Sequence, residues 1–105
     1  MSKLFASLAI AAALAIPSMA SAHSAVFSCF DNGDSTITCQ GGYSDGSSAS
    51  GVKIIVKDGA GAALENLKLD ANSEITFKKP TVDYSVMMDG GEGHSVSIPG
   101  KDIVE

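Results

Sequence analysis

Residues 74–98 run Glu74-Ile75-Thr76-Phe77-Lys78, then Lys79-Pro80-Thr81, then Val82-Asp83-Tyr84-Ser85-Val86-Met87-Met88, then Asp89-Gly90-Gly91-Glu92-Gly93, and end in His94-Ser95-Val96-Ser97-Ile98. Ile75 and Phe77 alternate with polar residues, as do Tyr84, Val86 and Met88, and Val96 and Ile98. Alternation at a period of two places one set of side chains on one face of a pleated strand. A proline and two clusters of Asp and Gly separate the three blocks, and such clusters are turn chemistry. Three short antiparallel strands are therefore expected here.

The same grammar extends toward the N-terminus. Val52 to Lys57 is rich in β-branched residues and is followed by Asp58-Gly59-Ala60-Gly61, a turn. Leu64 to Leu69 has apolar Leu64, Leu67 and Leu69, although Ala, Leu, Glu and Lys also suit a helix. Asp70-Ala71-Asn72-Ser73 is the next turn. Ala25 to Phe30 and Ser35 to Gln40 flank Asp31-Asn32-Gly33-Asp34, and the Gly/Ser-rich stretch 41–50 reads as a loop. Seven short strands at this spacing predict one all-β domain over 23–105, an immunoglobulin-like or transthyretin-like sandwich, with no helix.

The first 22 residues belong to another grammar. Met1-Ser2-Lys3 carries one charge, Leu4 to Ile16 is apolar, and Pro17 and Ser18-Met19-Ala20-Ser21-Ala22 close the segment. This is the plan of a cleaved secretory signal peptide. The apolar run is shorter than the roughly 20 residues that span a bilayer. No transmembrane segment is expected in the mature chain, and the location is periplasmic or secreted. Ala20-Ser21-Ala22 has the A-x-A form, so cleavage is expected after Ala22, with a cut after Ala20 as the other option.

Removing 22 residues from 105 leaves 83, enough for one small core. The mature chain keeps six lysines against twelve acidic residues and contains no arginine. Such a surface argues against nucleic acid as a partner. Two cysteines, Cys29 and Cys39, flank the first turn. In an oxidising compartment they are expected to form a disulfide across a β-hairpin, although a thiolate metal site is the rival reading.

Gly51-Val52-Lys53-Ile54-Ile55-Val56-Lys57-Asp58-x-x-Gly61 resembles the second half of a transthyretin-like domain. So do Asp70-x-x-x-Glu74-Ile75-x-Phe77-x-x-Pro80 and Asp83-Tyr84-Ser85-Val86. Carboxypeptidase-regulatory-like and collagen-adhesin-B-like repeats share this order. Ile75 stands where an aromatic is usual, and Ser73-Glu74 replace a usual glycine. The resemblance covers about half the chain and implies a fold rather than a function. Asp89-x-Gly91-x-Gly93-His94 resembles small periplasmic proteins encoded near nickel and cobalt uptake systems.

If strands alternate in direction, the start of the first strand, the 41–50 loop and the turns 70–73 and 89–93 share one pole. His23, Asp45, Asp70, Asp89, Glu92 and His94 are then expected together. The chain has only two histidines, His23 and His94. Cleavage after Ala22 would give His23 a free α-amine beside its imidazole. With His94 this makes a three-nitrogen set suited to Cu(II) or Ni(II), similar to the histidine brace of copper proteins such as lytic polysaccharide monooxygenases. Cleavage after Ala20 would make Ser21-Ala22-His23, which resembles the amino-terminal Cu(II)/Ni(II) motif. Asp89 and Glu92 are further candidate metal ligands.

No G-x-S-x-G, H-E-x-x-H or P-loop occurs, and there is no Trp. The chain reads as a binding protein, not an enzyme. It is expected to be an exported carrier or accessory protein for Cu(II), Ni(II) or Co(II), working with a metal-transport or envelope partner. The alternative is a metal-free transthyretin-like module that binds protein through a strand edge.

Overall fold

In the computed structural model, which describes residues 23–105, seven strands form. They are β1 (Ala25–Asp31), β2 (Thr36–Tyr43), β3 (Lys53–Asp58), β4 (Ala63–Lys68), β5 (Glu74–Lys78), β6 (Tyr84–Asp89) and β7 (Ser95–Pro99). The leader expected over 1–22 lies outside the described residues. Strands β1-β2-β5 make one sheet and β4-β3-β6-β7 the other. Every neighbouring pair is antiparallel. Among the described residues, no helix is long and apolar enough to cross a membrane.

The period-two pattern explains which residues are buried. Ile37 and Phe77 face each other across β2 and β5, and Cys39 opposes Ile75 on the next inward rung. In the other sheet, Ile54 pairs with Met88 and Val56 with Val86. Ile37, Cys39, Phe77, Ile54, Val56, Val86 and Met88 form one buried cluster with Ala49, Leu69 and Ile103. Both sheets thus contribute to a single core. Each large aliphatic side chain in it stabilises the fold by about 1.5–3 kcal/mol through burial.

Cys29 sits opposite Cys39 in the β1–β2 register, and the two form a disulfide. No free cysteine remains among the described residues. This disposes of the thiolate reading, because the sulfurs are bonded to each other.

Most strand ends differ from the sequence expectation by one residue, and three differences are larger. First, β2 does not stop at Gln40. It continues through Gly41, Gly42 and Tyr43, which pair with Phe27, Val26 and Ala25. Glycine at 41 is needed because the core closes over it. A Cβ there would lie 2.6 Å from a Leu69 methyl and 3.2 Å from the Met88 sulfur. Second, β6 begins at Tyr84 rather than Val82, which is 55% exposed in the preceding turn. Third, the chain does not end with the last strand. A 3₁₀ turn at Gly100–Asp102 leads to buried Ile103, and the Asp31 N–H donates to the Val104 carbonyl at 3.0 Å. The C-terminal residues are thereby tied to the end of β1.

The strand directions bring the start of β1, the β2–β3 loop, the β4–β5 turn and the β6–β7 turn to one pole. Ser73 fastens two of these connections. Its hydroxyl accepts from the Ala49 N–H at 3.0 Å and lies 3.1 Å from the Ser48 hydroxyl, and its carbonyl accepts from Gly41 N–H at 2.9 Å. Ser73 holds φ = 61°, a left-handed conformation that costs a non-glycine residue about 1–2 kcal/mol.

Candidate metal centre

His23 precedes β1 and would be free to wander if the ladder ended at Ala25. The Ser44 N–H donates to the Ser24 carbonyl at 2.8 Å, and the Ser24 N–H donates to the Ser44 hydroxyl at 2.8 Å. These two bonds extend the β1–β2 pairing by one rung beyond Ala25 and Tyr43. They set the His23 ring 5.7 Å from the Tyr43 ring, at an interplanar angle of 84°.

His94 arrives from the other sheet. The turn between β6 and β7 closes through Gly90 N–H to the His94 carbonyl at 3.2 Å and His94 N–H to the Gly91 carbonyl at 2.9 Å. The His94 Nδ1 lies 3.0 Å from the Glu92 carbonyl. A carbonyl can only accept, so this contact is a hydrogen bond with the proton on Nδ1. The neutral ring then carries its lone pair on Nε2, the nitrogen left for a ligand. Ligating histidines are commonly oriented through such a bond to the other ring nitrogen.

The two imidazoles meet. Their centroids are 5.1 Å apart with planes inclined by 27°. With metal–nitrogen distances of about 2 Å, two imidazoles on one ion have centroids about 4.5–6.5 Å apart, depending on the angle between them. The observed spacing falls in that range, while the rings lie stacked, so at least one imidazole must turn for in-plane nitrogens of both to point at one ion. Tyr43 stands across both, 6.0 Å from His94 at 82°. It fits beneath the His94 turn because residue 90 is glycine. A Cβ at 90 would lie 2.9 Å from the Tyr43 hydroxyl and 2.8 Å from the His94 carbonyl.

The carboxylates of this pole behave differently. Asp45 lies near enough to His23 to feel its charge. Its carboxyl is held below the ordinary value of 3.8, first by the Ser47 hydroxyl, then by the Ser47 N–H, and to a smaller extent by His23. Asp70 accepts the N–H groups of Asn72 and Glu74 at 2.8 and 3.0 Å and serves its own turn. Asp89 accepts Gly91 N–H at 3.2 Å. Glu92 supplies its main-chain carbonyl to His94. Among the described residues, no three His, Cys, Asp or Glu side chains are placed to hold one ion. Neither Asp89 nor Glu92 therefore completes such a set with His23 and His94. A third donor would have to be of another kind, such as the α-amine of a processed His23.

Tyr43 is the residue that sequence reasoning missed, because Gly41-Gly42-Tyr43 was read as loop. A usable signal existed. Pairing Cys29 with Cys39 fixes the hairpin register, and counting outward brings Ala25 opposite Tyr43, two residues from His23. A depression of about 560 Å³ lies at the opposite pole and is lined by Lys79, Tyr84 and Lys101 among others. It contains neither histidine. Among the described residues the buried Tyr84 hydroxyl has no hydrogen-bond partner, and burial pushes its pKa up.

Compared with family models, with curated proteins and with solved structures, the chain finds no match.

Proposed function

We propose that this is an exported protein that binds one Cu(II), Ni(II) or Co(II) ion through His23 and His94, as a periplasmic carrier or an accessory to metal uptake. The observation that carries the reading is the meeting of the only two histidines at 5.1 Å, one from each sheet. They are separated by most of the domain in sequence; His94 is held by hydrogen bonds to Gly90, Gly91 and Glu92, and His23 adjoins Ser24, which is bonded to Ser44. With the signal removed after Ala22, the His23 amine would add a third nitrogen, and nitrogen donors in this number suit Cu(II) and Ni(II). The three-plus-four strand arrangement is further proposed to be an immunoglobulin-like or transthyretin-like sandwich, which would serve as a rigid frame for the site. A second reading, a metal-free interaction module, draws on the β1 edge, where Val26 is 55% exposed and Phe30 39% exposed.

The test is a calorimetric titration of the processed protein, with its N-terminus verified by intact mass, against Cu(II) and Ni(II). One ion per chain is expected. His94→Ala should weaken binding by about 10- to 100-fold or more, and His23→Ala should abolish tight binding, with thermal melts unchanged. Equal binding by wild type and both variants would sink the reading in favour of the interaction module.

A further inference from the structure

We propose that Tyr43 is a positioning residue that makes this centre favour Cu(II) over Zn(II), by walling off one flank of the bound ion. The inference rests on the metal-binding reading above. The three ring centroids form a triangle with sides of 5.1, 5.7 and 6.0 Å, and the phenol ring is nearly perpendicular to both imidazoles. An ion on the His23–His94 side of this triangle has the face or edge of an aromatic ring on one flank. That ring blocks a ligand from approaching there.

The consequence differs between ions. Zn(II) takes four ligands in a tetrahedron, and those ligands must come from both sides of any plane through the metal. Cu(II) and Ni(II) accept a planar set with weak or vacant axial positions. A wall on one flank suits the planar set and opposes the tetrahedral one. Its effect depends on rigidity, and Tyr43 is rigidly held. It is the last residue of β2 and pairs with Ala25. Its N–H donates to the Ser47 carbonyl at 3.3 Å. Its hydroxyl is lodged against Gly90, with no room for a methyl group between them. The ring therefore also braces the turn that carries His94 against the hairpin that carries His23.

The experiment measures Cu(II) and Zn(II) dissociation constants for the processed wild type, Tyr43→Phe, Tyr43→Ala and Tyr43→Leu. Circular dichroism and melting curves establish that each variant folds. Tyr43→Phe keeps the wall and should keep the wild-type Zn/Cu ratio of dissociation constants. Tyr43→Ala should lower that ratio by about tenfold or more, the size expected for a group just outside the ligand set. Tyr43→Leu, which replaces the flat ring by a shorter branched chain, should lower it in the same direction. A merely structural role would weaken both ions alike and leave the ratio unchanged, which overturns the inference. If Tyr43→Ala does not fold, the ratio in Tyr43→Leu decides. Absence of binding to the wild type would remove the metal reading itself. Binding that needs His94 but keeps its ratio in the Tyr43 variants would remove only the selectivity role.

Discussion

At the residue scale, Asp31 shows how one side chain joins distant parts of the chain. One carboxylate oxygen accepts the Gly33 N–H at 2.8 Å, closing the hairpin turn, and the other accepts Lys79 Nζ at 2.8 Å. The bond to Lys79, then that to Gly33, holds the Asp31 carboxyl below its ordinary 3.8. The same bond holds Lys79 above its ordinary 10.5. A lowered acid pKa contributes stability above 3.8 that is lost as pH falls through the folded value. A raised lysine pKa contributes stability below 10.5 that is lost as pH rises through the folded value. Asp31→Asn keeps the bond from Gly33 and removes the charge. Its melting temperature should therefore fall less steeply with acid than that of wild type, as read by thermal melts across acid pH. Parallel curves for the two proteins would show that the ion pair contributes nothing. Ser73 makes a related point. It adopts the left-handed conformation that glycine would take freely. What serine adds is a hydroxyl that ties down the β2–β3 loop.

At the element scale, the β1–β2 hairpin carries two of the three rings of the candidate centre, and the disulfide locks its register. Cys29 and Cys39 are 10 residues apart, so the closed loop is short. Loop-closure entropy for that size gives about 2–3 kcal/mol. The double variant Cys29→Ala/Cys39→Ala should lose about that much in urea unfolding, visible as a lower midpoint. A loss near zero would mean that the ladder and the core already hold the hairpin. The strand pattern was legible wherever alternation was clean, as in β5, β6 and β7. It was less legible in β4, whose pairing with β3 shifts register between Val56 and Lys57. Leu64 is 44% exposed while Leu69, just past the end of the strand, is buried, so the leucines of this segment do not share one face. The extension of β2 through two glycines was hidden for another reason. Glycine is a turn signal locally, yet Gly41 is there to admit Leu69 and Met88.

At the scale of the whole molecule, one of two adjacent methionines sits in the core that both sheets share. Met88 is fully buried opposite Ile54. Met87 points the other way, opposite Ile55 and Ser97, with its sulfur 3.8 Å from Lys57 Nζ. Met88→Ala should therefore destabilise by about 2–5 kcal/mol, a large part of the total stability of a small domain. Met87→Ala, at a half-buried position on the opposite face, should cost less, about 1 kcal/mol. Chemical denaturation of both variants checks this, and similar losses would mean that the register of β6 is wrong. The all-β class, the two antiparallel sheets, the disulfide and the burial of Met88 follow from local facts. Side chains alternate about a pleat, turn residues interrupt the alternation, and two cysteines flank a turn. The candidate centre is another matter. The parity of strand directions placed His23 and His94 at one pole, but a pole is a whole face of the molecule. Their approach to 5.1 Å and the placing of Tyr43 beside them were decided by tertiary structure. The physical reason is that these contacts join different sheets across tens of residues. Their geometry comes from how one shared core seats the two sheets against each other, and that information is not carried by any local stretch of the chain.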